Sequence, residues 1–279
     1  MSTQVGLRGK AWFEALTGKN SPMAGDPDSV LAADAKLGED TARFLCVVPN
    51  PQARFPCARR GEVGLEEAYT LAARVREVIE QNTSADERPI IAQPIIAIVD
   101  VKSQAYGRRE ETAAIFLACA TAADAYAAAR MKGHPVISLV VGQAISGGFL
   151  THGYQANRIL AFDDSGVVIH AMHKEAAARI TLRTVEELDR LGHEIAPLSY
   201  DVRDYAKLGL LHELLHVENP DSPSQATVAQ VQEELIDAVA DVRAGSTDLG
   251  NRLTSEGARE MRKASLAARA HMEEQWVKG

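Results

Sequence analysis

The chain has 279 residues, 46% of them apolar, enough to bury a substantial core as one large domain or as one domain with appendages. Its 30 Lys and Arg against 38 Asp and Glu leave a formal net charge of −8, which argues against non-specific binding to nucleic acid or to an anionic membrane. Cys46, Cys57 and Cys119 are odd in number and lack metal-ligand spacing, as expected of reduced thiols in a cytoplasmic protein.

Residues 1–60 read as an N-terminal extension. The opening MSTQVGLRGKAWFEALTG has no long apolar run, so no signal peptide is expected, and the alanine-rich stretch Thr112 to Ala123 is too short to span a bilayer. A short helix is predicted around Trp12, Phe13 and Leu16, and strands over Val30–Ala35 and Arg43–Val48, the second ended by Pro49-Asn50-Pro51. After Arg59-Arg60-Gly61-Glu62, helical periodicity predicts a helix from Leu65 to Gln81 with Leu65, Ala68, Tyr69, Ala72, Val75 and Ile79 on its buried face. A strand at Pro94–Val99, a loop VKSQAYG and a long helix over Arg108–Met131 follow, the helix turning Ala113, Phe116, Leu117, Ala120 and Ala123 to the core.

The β-branched run Val136–Val141, started by Pro135 and stopped by Gly142, predicts a second buried strand. Two successive strand–loop–helix units place their parallel strands side by side, with ligands at the carboxyl ends. At that end Ser146-Gly147-Gly148 opens a helix. Its first N–H groups lack intrahelical acceptors and its glycines carry no Cβ, so the turn suits an anionic oxygen. Plain close packing of a β-to-α turn explains the same glycines, and both readings stay open on spacing alone.

Further on, Ile159–Phe162 and Val167–His170 read as short strands and Val185–Leu191 and Tyr200–Leu208 as short helices. Residues 217–224, VENPDSPS, read as a linker. Val228, Val231, Leu235, Val239 and Val242 then recur at helical spacing, and a last helix is predicted over Glu256–Trp276. These C-terminal helices read either as a packed cap or as a surface for a partner subunit.

Three motifs carry chemistry. Ala144 to Gly148 fits A-x-S-x-G, a relaxed nucleophile elbow, so a serine hydrolase using Ser146 is an alternative; His212, His216 and His271 are its distant histidine candidates. His212 to His216 matches H-E-x-x-H, but Gly209 and Asn219-Pro220 hem it in, which predicts an extended segment that holds no zinc. Arg59-Arg60 and Arg108-Arg109 read as solvated charge or as an anion site, as do Lys174, Arg179 and Arg183.

The blocks GEVGLEEAY at 61–69, VDVKSQAYGRREE at 99–111, HPVISLVVGQAISGGFLTHGYQANRILAFDD at 134–164 and HAMHKEAAARITLR at 170–183 closely resemble the gamma subunit of biotin-independent malonate decarboxylases. The resemblance runs from GLRGKAWFEALTG at 6–18 to the LGLLHELL segment. More distantly, QAYG and SGGF resemble carboxyltransferase subunits of biotin-dependent carboxylases. The resemblance implies an α/β, crotonase-like ββα superhelix with C-terminal helices. It divides the chain into the extension at 1–60, a carboxyltransferase-like core at 61–220 and helices at 221–279 that form a subunit interface.

It also implies a homologous beta subunit, an acyl carrier protein with a CoA-derived prosthetic group and a transferase alpha subunit that loads malonate. No cofactor, biotin or metal is expected on this chain itself. Decarboxylation of a malonyl thioester leaves an enolate whose charge collects on oxygen, so N–H donors suffice and no serine nucleophile is required. The expected oxyanion donors are the backbone N–H groups of Gly147 and Gly148. Ala105, Tyr106, Gly107, Ser146 and Phe149 form the expected substrate-binding walls, and Arg59, Arg60, Arg108 and Arg109 the anion or carrier contacts. Which oxygen the turn holds, the thioester's or the leaving carboxylate's, is left open, as is a purely structural role beside the beta subunit.

Overall fold

A computed structural model describes residues 7–82 and 92–277. Residues 1–6, with the start of the GLRGKAWFEALTG block, lie outside the described residues. The apolar, β-branched segments become the strands: β1 (Val30–Leu37), β2 (Asp40–Val47), β3 (Ile95–Val101), β4 (Val136–Ile145), β5 (Arg158–Phe162), β6 (Val168–His170) and β7 (Glu213–Leu215). They form one sheet in the order β1-β2-β3-β4-β5-β7, with β6 also on β4. Among the described residues only the β1–β2 hairpin is antiparallel. The adjacent strands of the two strand–loop–helix units, β3 and β4, run parallel as expected. The 1–60 segment thus supplies two strands of the shared sheet.

Alternation along each strand sends side chains to two helical layers. From β2, Arg43 reaches the Arg74 carbonyl of α2 (Leu65–Gln81) at 3.0 Å, while Cys46 faces Gly9 of α1 (Leu7–Thr17) on the other side. On the α2 side lies α4 (Ile115–Met131), packed against α2; on the α1 side lies α9 (Gln225–Ala244), which follows the short helices α6 (Lys174–Thr181), α7 (Val185–Glu194) and α8 (Val202–Lys207). Buried Arg8 of α1 binds Asp164 at 2.6 Å, Asp221 at 2.8 Å and the Val141 carbonyl at 3.1 Å, and Trp12 donates to the Pro220 carbonyl at 2.8 Å. The segment read as a linker is therefore fastened to the first helix.

Several expectations shift. Gly142 does not stop β4. The pairing Val99↔Val140 is followed by Val101↔Ala144, a bulge in which Asp100 accepts the Gln143 N–H at 3.0 Å; a Cβ on Gly142 would stand 2.3 Å from that carboxylate. Past the bulge β4 leaves β5 and pairs with β6, which carries its end to the site. In α2, Tyr69 is exposed and Leu71 and Val78 are buried instead.

The long second helix is two, α3 (Arg108–Thr112) and α4, separated by Ala114 in the left-handed region at φ 61°. That break resets the helical phase. Ile115, Ala118, Ala122, Ala125, Tyr126 and Ala129 face the core, while Phe116 and Leu117 are 63% and 53% exposed. The last helix is likewise divided, into α10 (Asn251–Thr254), α11 (Glu256–Met261) and α12 (Lys263–Val277). Of the C-terminal helices, α9 buries Val231, Leu235, Val239 and Val242 in the chain's own core, whereas α12 buries no residue.

Candidate active site

The site forms where the carboxyl ends of β3 and β4 meet. The loop after β3 is held on one side by residues 61–64: Val63 donates to the Ser103 carbonyl and Ala105 donates to the Val63 carbonyl, each at 2.9 Å. Gly64 opens α2, and its N–H is accepted by Glu67 at 3.0 Å; Ser29 donates to the other oxygen of the same carboxylate at 2.6 Å. The GEVG block is therefore a brace for the SQAYG loop.

On the other side the loop meets the turn. Ser146, at φ 57°, starts α5 (Ser146–Thr151), and its hydroxyl lies 3.0 Å from the Tyr106 hydroxyl. The Gly147 N–H is engaged: Gln104 Oε1 accepts it at 2.7 Å. Gly148 is buried against the loop, and a Cβ there would come within 2.5 Å of the Ser103 carbonyl. Thr151 donates to the Gly147 carbonyl at 2.6 Å and closes the turn. Beneath it lies His152, fully buried, with Nε2 donating to the Ile98 carbonyl at 3.0 Å and Nδ1 accepting from the Tyr126 hydroxyl at 2.9 Å.

Two cavities flank the Gln104–Gly147 contact and share it as a wall. One, of about 490 Å³, is lined by Ser146, Phe149, Tyr154, His170 and Tyr205 among others. The other, of about 340 Å³, is lined by Phe116, Cys119, Ala120, Leu150 and Thr151. The Phe116 and Leu150 side chains that line the smaller one are exposed.

Of the residues expected at the site, Ser146, Gly147 and Phe149 line the larger cavity. Tyr106 reaches it through its contact with Ser146. Ala105 is fully buried, packed toward Gly64, and lines neither cavity. Gly107 precedes α3 and packs against Cys57 and Glu110, where a Cβ would stand 2.8 Å and 2.0 Å away. This contact brings the segment carrying Arg59 and Arg60 beside Arg108 and Arg109. Arg60 pairs with Glu62 at 3.0 Å and Arg59 donates to the Ala53 carbonyl at 3.0 Å, while Arg108 and Arg109 are exposed. Lys174 pairs with Asp189, and with Arg179 and Arg183 it lies outside both cavities.

Two residues at the site went unread in the sequence. Gln104 stands between the β3 end and the expected Ala105-Tyr106-Gly107 wall; its polar side chain at a parallel strand's carboxyl end was the available signal. His170 pairs in register with Ile145 and so arrives beside Ser146. Its Nδ1 is engaged by Met172 and its ring stacks on Tyr200 at 3.9 Å; burial holds its pKa below the ordinary histidine value, against the backbone contact at Met172.

The distant histidines do not come to Ser146: His212, His216 and His271 line neither cavity. The H-E-x-x-H segment is extended, as expected, with β7 spanning Glu213–Leu215. Four residues of strand separate its histidines by about 13 Å, too far to share one zinc. Ser146 has the left-handed backbone of a nucleophile elbow and a tyrosine, rather than a histidine, as its hydroxyl partner.

The family model of the malonate decarboxylase gamma subunit matches residues 58–276. A chain of a Pseudomonas malonate decarboxylase hetero-tetramer in complex with coenzyme A is 51% identical, with a TM-score of 0.90 over 96% of this chain and 99% of that one. A chain of the Pseudomonas malonate decarboxylase MdcD–MdcE hetero-dimer is 50% identical, with a TM-score of 0.87 and the same coverage. The malonyl-S-ACP:biotin-protein carboxyltransferase MADD of Malonomonas rubra is 31% identical over 77% of this chain and 73% of its own. At 17% identity, transcarboxylase 12S shares the fold, with a TM-score of 0.57 over 79% of this chain and 37% of its own. The architecture is the expected crotonase-like one.

Proposed function

The chain belongs to the malonate decarboxylase gamma subunit family, and from that membership we propose that it works with a homologous beta subunit to decarboxylate a malonyl thioester on an acyl carrier protein. In this reaction the bond between the carboxylate carbon and the α-carbon breaks, and carbon dioxide leaves. The bonding electron pair passes into an enolate with its charge on the thioester oxygen. Protonation on carbon then gives the acetyl thioester. The step needs donors fixed in advance around that charge.

The observation that carries the reading is the glycine turn at the carboxyl ends of β3 and β4, opening on two adjacent cavities. In this reading the developing charge is held beside the turn, with Ser146, Tyr106 and Phe149 around it. The beta subunit covers the exposed Phe116 and Leu150 at the smaller cavity, an apolar face of the kind that marks an interface. The helix α12, which buries no residue, offers a further surface for a partner. The carrier brings the acyl group on its CoA-derived arm, a transferase alpha subunit loads malonate, and this chain holds no cofactor of its own.

The relative from Malonomonas passes a carboxyl group to a biotin protein. The biotin-independent reading is preferred because the Pseudomonas decarboxylase chain matches at 51% identity over 96% of this chain, against 31% over 77% for the biotin-linked relative. The reading places the assembly in the cytoplasm; no helix among the described residues is long and apolar enough to cross a membrane. The test is co-expression with the beta subunit and an assay on malonyl carrier protein. Carbon dioxide and acetyl carrier protein are expected in equal amounts, unaffected by avidin. Turnover that requires a biotin protein would overturn it.

A further inference from the structure

The two glycines of the turn are both closed off by one neighbouring segment. A Cβ on Gly147 would stand 2.8 Å from Gln104 Oε1, 2.9 Å from its Cδ and 3.3 Å from its Nε2. A Cβ on Gly148 would stand 2.5 Å from the Ser103 carbonyl carbon and oxygen and 3.1 Å from the Gln104 nitrogen. The missing side chains therefore make a seat for residues 103–104, and the Gln104 amide lies against Gly147. The Gly147 N–H, which can only donate, fixes which end of the amide faces it: the oxygen, at 2.7 Å. Nε2, with two N–H donors, is left on the other side. It has no hydrogen bond to a described residue and is not enclosed, since Gln104 lines both cavities.

We propose that Gln104 is a catalytic residue whose Nε2 donates to an anionic oxygen of the malonyl group, and that Gly147 is the positioning residue that holds the amide in this orientation. The inference rests on the decarboxylase reading above and names the group through which the turn acts. The donor is carried by a side chain on β3's loop, with its direction set by a backbone N–H on β4's turn, so it is aligned before substrate arrives. As the carbon–carbon bond breaks and charge moves to oxygen, the same N–H strengthens its contact.

The test uses the assembled beta–gamma complex and malonyl carrier protein. Gln104→Glu keeps the size and still accepts the Gly147 N–H, but presents an oxygen where the N–H₂ group stood. Its kcat is expected to fall by about 100-fold or more, the loss seen when one oxyanion donor is removed, with assembly by size exclusion unchanged. Gln104→Ala opens the Gly147 N–H to the cavity and is expected to lose turnover less severely. Alanine turnover equal to or above the unmodified complex would overturn the proposal, making Gln104 a plug over the glycine N–H. So would a glutamate variant of undiminished kcat. Should the glutamate variant fail to assemble, the alanine variant decides alone. An unmodified complex that releases no carbon dioxide would instead defeat the decarboxylase reading.

Discussion

His152 decides how the ground beneath the turn responds to acid. It follows α5 directly, and its two ring nitrogens tie β3, through the Ile98 carbonyl, to α4, through Tyr126. Both bonds suit the neutral ring, and complete burial lowers its pKa to about 4, against the contact at Ile98 that favours the proton. Above the unfolded value of 6.5 neither state is protonated there, so the histidine's full contribution to stability is present. Between 6.5 and 4 the unfolded chain binds a proton that the folded chain refuses, and stability falls by about 1.4 kcal/mol per pH unit. Urea unfolding followed from pH 7.5 to 4.5 is expected to show that slope, and His152→Gln, which keeps a donor and an acceptor but cannot titrate, is expected to flatten it by one proton. An unchanged slope would mean that His152 does not govern it; His134, His170 and His212, also lowered chiefly by burial, supply the remainder.

Among the elements, α1 is tied by one side chain, Arg8, to three segments distant in sequence, beside the core packing of Trp12, Phe13 and Leu16. Arg8 carries an ion pair to Asp164 after β5, another to Asp221 in the 217–224 segment and a bond to β4's Val141 carbonyl. Arg8→Met keeps the apolar stem and leaves Asp164 and Asp221 without their cation. Because Asp164 and Asp221 retain 27% and 51% of their exposure, the loss is expected at roughly 2 kcal/mol, below that for a fully buried pair. It would be read as a lower urea midpoint together with new proteolytic cleavage within 217–224; an unchanged midpoint would assign α1's attachment to Trp12 instead.

These elements also mark what was legible in the sequence. The helix at Leu65–Gln81 and the strands β1, β2 and β5 stand close to where apolar periodicity put them, because apolar and polar residues contrast sharply there. In Ile115–Met131 alanine occupies every face, so periodicity had no contrast to read and the left-handed break at Ala114 was invisible. Gly142 looked like a strand end because its partner in the bulge, Asp100, is 42 residues upstream in the chain. The glycine turn itself was legible as local chemistry; Gln104, which fills it, was not, since the contact spans 43 residues.

At the scale of the whole molecule, the proposed function requires a chain of net charge −8 to meet an acyl carrier protein, itself usually acidic, without mutual repulsion preventing the encounter. Arg108 and Arg109 lie exposed at the start of α3, with no ion pair among the described residues, and the segment carrying Arg59 and Arg60 adjoins them through the Cys57–Gly107 contact. This basic edge stands two residues beyond Tyr106, at the mouth of the site. Charges so placed steer an acidic partner and orient its prosthetic arm, and they act through the association rate. Replacing both Arg108 and Arg109 by Glu is expected to raise the KM for malonyl carrier protein by about 10-fold at low salt. The difference should shrink as ionic strength shortens the screening length to about 8–10 Å. A KM that does not move at low salt would put the carrier's dock on the beta subunit. The acidic surface of this chain would then turn the carrier toward that partner by repulsion.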